Sequence, residues 1–142
     1  MPKAVNIHET SDWNAWFDGS AKPNPGACLL ACIVRGPAGE VHQQTRALGY
    51  GDSSDAEYQA LIAALELLLA LLGPAPTVSI LLRGDSQVVI NDVLGSSAAA
   101  VRLQDYRARA CTLMAQLPGL RLKWVPRHKN TEADALLRAP SV

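Results

Sequence analysis

The chain has 142 residues, 49% of them hydrophobic, with 13 basic and 13 acidic side chains and a formal net charge of zero. That length suits one domain with a sizeable core, and the apolar content argues against disorder over most of it. The charge balance excludes a broad positive field, so any nucleic-acid function must rest on a local site.

In chain order, Met1–Asp12 is polar and lacks the apolar run of a secretory signal. It reads as a flexible N-terminal segment ahead of one domain over 13–139. Trp13–Ala21 is a first strand, ending in the turn-rich Lys22-Pro23-Asn24-Pro25-Gly26. Ala27–Arg35 is a second strand, Gly36-Pro37-Ala38-Gly39 a hairpin-type turn, and Glu40–Leu48 a third strand. Three strands on short turns predict an antiparallel meander. Within the second strand, Cys28 and Cys32 share a face about 13 Å apart, too far to bridge. They read as small buried apolar residues in a reducing cytoplasm.

Ala56–Leu72 predicts a long helix closed by Gly73-Pro74. It is apolar almost all round, which predicts packing on more than one side. Its Leu61–Leu72 run is broken by Glu66 and is shorter than the roughly 20 residues of a membrane span. The expectation is a soluble, cytoplasmic monomer without membrane contact. Thr77–Leu82 predicts a fourth strand, Ser86 to about Leu94 a short helix, and Ser97–Leu117 a helix ended by Pro118-Gly119. Leu120–Val125 is a fifth strand and Thr131–Arg138 a last short helix. A meander followed by alternating helix and strand implies an α/β fold, a five-stranded mixed sheet flanked by helices. Right-handed crossovers set the fourth and fifth strands parallel to the first, and sites in such sheets form beyond strand ends.

Four acids stand at such places. Asp18 follows Trp16-Phe17 and precedes Gly19-Ser20, Glu57 lies in the first turn of the long helix, Asp85 follows Gly84 where strand becomes helix, and Asp134 lies in the first turn of the last helix. Singly, each has an ordinary structural explanation. Asp18 could start a turn, Ser54-Asp55-Ala56-Glu57 fits a capping box, Asp85 fits an N-cap, and Asp134 fits the positive end of a helix dipole. Together they have another. Four carboxylates gathered at one place repel one another unless a cation neutralises them, and oxygen ligands in that number suit Mg²⁺ or Mn²⁺. Paired ions about 4 Å apart can hydrolyse a phosphodiester.

Four motifs follow one another over residues 13–138: Phe17-Asp18-Gly19-Ser20 with Asn24-Pro25-Gly26, Ala56-Glu57-Tyr58 opening an Ala/Leu-rich helix, Gly84-Asp85-Ser86-Gln87, and Trp124-Val125-Pro126-Arg127 leading to Asn130 and Ala133-Asp134-Ala135. In this order they resemble the type 1 ribonuclease H family, in a short form without an obvious basic protrusion or hybrid-binding domain. The resemblance implies a ribonuclease H-like fold and Asp18, Glu57, Asp85 and Asp134 as metal ligands for Mg²⁺, with Mn²⁺ a substitute. It implies two-metal hydrolysis of the RNA strand of an RNA–DNA hybrid, leaving 5′-phosphate and 3′-hydroxyl ends.

By the same resemblance, Gly19, Asn24, Ser54 and Gln87 contact the substrate, including its 2′-hydroxyl. Asn24 as a turn residue and Gln87 as an exposed helix residue remain the alternatives. His128 is either a mobile histidine assisting proton transfer or product departure, or a solvated residue between Arg127 and Lys129. His8 and His42 read as surface residues.

Asp52-Ser53-Ser54-Asp55 departs from the Thr-Asn-Asn that the family often carries, and Asp52 should repel a DNA phosphate. Between Asn91 and Leu120 the basic residues are Arg102, Arg107 and Arg109, and Arg102 and Arg109 share a helix face. These features predict weak, salt-sensitive binding. The short last helix predicts a less firmly held Asp134.

A non-catalytic hybrid-binding module of the same fold is the alternative, although buried carboxylates would not help it bind phosphate. A proofreading-type exonuclease would open with Asp-x-Glu, whereas Asp18 precedes Gly19-Ser20. A transposase core would sit beside DNA-binding domains, and a structural domain would need four coincidental motifs.

Overall fold

The computed structural model of the chain describes residues 11–95 and 101–138. Three antiparallel strands come first: β1 (Trp13–Lys22), β2 (Gly26–Arg35) and β3 (Val41–Gly51). Then follow helix α1 (Ser53–Leu72), strand β4 (Ile80–Gly84), helices α2 (Gln87–Val93) and α3 (Gln104–Ala115), strand β5 (Leu120–Trp124) and helix α4 (Thr131–Arg138). The sheet order is β3-β2-β1-β4-β5, with β4 parallel to β1 and β5 parallel to β4. This is the mixed α/β sheet that the meander and crossovers predict.

Period-two alternation divides the sheet into two packed faces. Ala15 and Phe17 of β1, Leu30, Cys32 and Val34 of β2 and Ile80 and Leu82 of β4 form one core with Leu61, Leu65 and Leu68 of α1 and Ala110 and Leu113 of α3. Alpha-helix α1 is thus enclosed by sheet and by α3, as its all-round apolar sequence predicts. Ala31, Ile33 and Leu81, of opposite parity, are buried along with Ala133 and Leu137 of α4. Cys28 and Cys32 are free and buried, whereas Cys111 is free and exposed. Burial pushes the Cys32 thiol up to about 11.

Several boundaries differ from the sequence expectation. Helix α1 starts at Ser53 because Asp52, not Ser54, is its N-cap. The Asp52 carboxylate accepts from Asp55 N at 3.0 Å, and Asp55 Oδ2 accepts from Asp52 N at 2.8 Å. Strand β4 begins at Ile80, opposite Trp13, and runs on to Gly84. The expected Ser97–Leu117 helix is realised as a 3-10 turn, Val101–Leu103, and α3, while residues 97–100 lie outside the described residues. Of the expected N-terminal segment, residues 1–10 lie outside the described set. Asp12 exchanges hydrogen bonds with Ser79. Among the described residues, no helix is long and apolar enough to cross a membrane.

Candidate metal centre and substrate groove

Two glycines let the elements that carry the acids come together. A Cβ on Gly19 would lie 2.3 Å from the main-chain carbon of Ala56, so only glycine lets β1 run beneath the start of α1. A Cβ on Gly84 would lie 2.3 Å from the Phe17 ring, which fills the space beside the end of β4. In register, Gly84 follows Arg83, the partner of Trp16, so Asp85 emerges next to Asp18.

Around these glycines, one carboxylate oxygen each from Asp18, Glu57 and Asp85 lies within 4.8 Å of the others. Asp18 and Glu57 are buried. Glu57 does not close a capping box with Ser54, because its Oε1 accepts from Gly19 N at 3.1 Å. Nor is Asp85 an N-cap. Ser86 caps α2, its Oγ accepting from Val89 N at 3.3 Å, which leaves the Asp85 carboxylate for the cluster. Trp124 Nε1 donates to Asp85 O at 3.1 Å and holds the backbone at this corner.

Asn130, fully buried, braces the site from behind. Its Nδ2 donates to Phe17 O at 2.9 Å and to Asp85 Oδ2 at 3.3 Å, and its main-chain oxygen accepts from Asp134 N at 3.1 Å. In the sequence Asn130 stands out only as part of a motif. Its function as a brace depends on the loop's path across β1, which no local pattern encodes.

Asp134, the fourth expected ligand, lies outside the three-carboxylate cluster. Half-buried in the first turn of α4, it is paired with Arg138 at 3.1 Å. Its charge still reaches Asp18. Burial and the nearby Asp85 and Asp134 push the Asp18 carboxyl up to about 7, against a smaller opposing pull from Glu57 and Arg127. Burial and the charges of Asp18 and Asp85 likewise hold Glu57 well above the usual carboxylate range. Two acids thus driven towards protonation, with the unpaired Oδ1 of Asn130 behind them, form an all-oxygen donor set short of positive charge. Such a set fits a hard divalent cation.

Glu57 and Asp85 of the cluster line a groove of about 450 Å³, with Gly19–Lys22, Asn24 and Ser53 beside Glu57 and Ser86–Val88 and Arg127 beside Asp85. Of the expected substrate contacts, Gly19, Asn24 and Gln87 line it, and Ser53 does so in place of Ser54. The Asn24 side chain bonds Ser53 twice, from Nδ2 to Oγ at 3.2 Å and from the Ser53 N–H to Oδ1 at 3.0 Å, joining the β1–β2 turn to α1. His128 lies exposed in the 3-10 turn Arg127–Lys129 and does not line the groove, whereas its neighbour Arg127 does. Arg127 ends the Trp124-Val125-Pro126-Arg127 motif, which marks it in the sequence.

Asp52 is not a bare repelling charge. Arg102 pairs with its Oδ2 at 2.5 Å and with Asp55 Oδ1 at 3.1 Å. Arg109 pairs with Glu66, and Arg107 Nε donates to Asp92 O. The three arginines between α2 and β5 are therefore engaged within the protein rather than arrayed as a basic protrusion.

A model of the reverse transcriptase-like family matches residues 16–139. The chain is 37% identical over 125 residues to ribonuclease HI of Halobacterium salinarum, a match covering 87% of this chain and 61% of that one. The chain thus spans about three fifths of that relative's length. The crystal structure of RNase H1 from the same archaeon superposes with a TM-score of 0.77 at 34% identity, covering 87% of this chain and 92% of that one. LC11-RNase H1, solved in complex with RNA/DNA hybrid, gives a TM-score of 0.78 at 27% identity over 87% and 92% of the two chains.

Proposed function

Because this chain belongs to the reverse transcriptase-like family and, within it, to the type 1 ribonucleases H, we propose that it is a metal-dependent endonuclease cutting the RNA strand of RNA–DNA hybrids. The observation that carries this reading is the convergence of Asp18, Glu57 and Asp85, two of which, Glu57 and Asp85, line a groove. Those three residues would hold two Mg²⁺ ions, or Mn²⁺ in their place, with Asp134 joining on release from Arg138. When bound, the ions supply the Lewis-acid charge for in-line attack by water and for departure of the 3′ oxygen, leaving 5′-phosphate and 3′-hydroxyl ends.

The chain's own residues do the rest. Asp18 and Glu57, whose carboxyls burial and neighbouring acids hold towards protonation, would have to be deprotonated to hold the cations. Arg127 and Lys22, on opposite walls, hold backbone phosphates. Gln87, and Asn24 positioned by Ser53, meet the 2′-hydroxyl, which both donates and accepts hydrogen bonds. Arg127 takes the phosphate-facing place in this loop and His128 stays in solvent.

The test sets an RNA–DNA hybrid against duplex DNA and duplex RNA, with end analysis of the products. Cleavage confined to the hybrid's RNA, with 5′-phosphate ends, is the expected result. Hybrid binding without cleavage under either metal would transfer the chain to the non-catalytic binding class, and cleavage of duplex DNA would make it a different nuclease of this fold.

A further inference from the structure

Asp92 is a carboxylate with no part in the site described above, yet it is 3% exposed and packed in α2 between Ile90 and Val93. Its Oδ2 accepts from the hydroxyl of Tyr58, itself fully buried, at 2.5 Å. The Tyr58 ring stacks on Tyr106 of α3, with centroids 5.6 Å apart and planes at 21°. Arg107 Nε, also from α3, donates to Asp92 O at 2.9 Å.

A buried carboxylate is costly, and an apolar residue of similar volume would serve packing at least as well. What an apolar residue cannot supply is direction. Tyr58 adjoins Glu57 in α1, and Asp92 lies in the helix that starts immediately after Asp85. Each acid is already fixed to the sheet, Glu57 through Gly19 N and Asp85 through Asn130 and Trp124. The Tyr58–Asp92 bond adds a direct tie between the two helices, so it sets the separation of the walls that carry Ser53 and Glu57 on one side and Ser86, Gln87 and Val88 on the other.

We propose that Tyr58 and Asp92 are positioning residues, a buried strut that holds Glu57 at its distance from Asp85 and thereby tunes divalent-cation affinity. The proposal rests on the reading of the carboxylate cluster as a metal site.

The experiment measures Mn²⁺ binding by calorimetry, alongside Tm, for the full chain and three variants. Tyr58→Phe removes the hydroxyl and leaves the carboxylate unpaired, so both Tm and Mn²⁺ affinity should fall, the latter about tenfold, the low end of what losing a group bonded directly to a metal ligand costs. Asp92→Asn keeps an acceptor for Tyr58 and should stay within about threefold of the parent chain. The double variant Tyr58→Phe/Asp92→Leu replaces the pair by apolar groups. Its Tm should recover while its Mn²⁺ affinity stays about tenfold low. A folded double variant with the parent chain's affinity would overturn the strut and leave the metal site standing. A parent chain that binds no Mn²⁺ would overturn the metal site and the strut with it.

Discussion

Asp85, freed by Ser86 from any capping duty, is the residue through which the cluster is most cleanly tested, since Asn keeps its shape and removes its charge. Asn130 is the more informative neighbour. Asn130→Ala deletes the bonds to Phe17 O and Asp85 Oδ2 and should lower metal affinity or activity by about 10- to 100-fold, the range for outer-shell partners. Unchanged Mn²⁺ affinity in a folded Asn130→Ala protein would remove it from the site. In the same loop, Arg127→Ala should raise KM and reduce the salt dependence by about one phosphate contact, while His128→Ala changes neither. A matched loss of kcat in His128→Ala would restore the histidine to catalysis. Gly84→Ala should cost about 1–3 kcal/mol, because its methyl meets the Phe17 ring, a bulky buried group with nowhere to move.

Helix and strand starts are decided by which side chain reaches which backbone group, and this is where sequence reading and structure part. The last helix, Thr131–Arg138, has the expected bounds because its periodic apolar residues and Arg-containing last turn coincide with its ends. Helix α1 starts earlier than expected, since Asp52 and Asp55 cap it while Glu57, the apparent box partner, is drawn to Gly19. Two acid–serine registers compete over four residues, and only the approach of β1 chooses between them. Strand β4 extends to Gly84 for a similarly nonlocal reason, its fit under Phe17. The three-carboxylate cluster was legible in Asp18, Glu57 and Asp85, each marked by a strand end or helix start. The place of Ser53 in the groove lining and the bracing by Asn130 were not, because each depends on partners distant in the chain. At this scale Asp52→Ala, which removes both the cap and one partner of Arg102, should destabilise the fold by about 1 kcal/mol, whereas Asp52→Asn keeps the cap and should cost far less. Thermal unfolding of the two variants checks the difference.

For the molecule as a whole, 13 acidic and 13 basic side chains balance; Arg102 and Arg109 are spent in ion pairs on the α3 side, while Asp18, Glu57 and Asp85 concentrate negative charge at one place. Among the described residues, Lys22 and Arg127 are the basic residues lining the groove. Two phosphate contacts predict that hybrid affinity falls about tenfold between 50 and 200 mM salt. An unchanged KM across that range would contradict this electrostatic picture. The store of acid has its own signature in stability. Asp18 is raised from 3.8 to about 7 in the folded chain, so protonation favours folding. That contribution is fully present below 3.8 and is lost as pH rises through about 7. For Asp18 alone the full linkage is about 4 kcal/mol. Metal-free protein should therefore lose several degrees of Tm between pH 5 and 8. Mn²⁺ should restore them, and Asp18→Asn should flatten the profile. A metal-free Tm that rises over this interval would contradict the raised carboxyl.

The central claim, that these carboxylates hydrolyse RNA in a hybrid, is tested most directly by one assay. An RNA–DNA hybrid labelled in its RNA strand is incubated with the parent chain and with Asp85→Asn, each in Mg²⁺, Mn²⁺ or chelator. Metal-dependent cleavage by the parent chain, absent in chelator and abolished in Asp85→Asn, is the predicted result. Intact RNA with folded parent chain under both metals, or equal cleavage by Asp85→Asn, would contradict it.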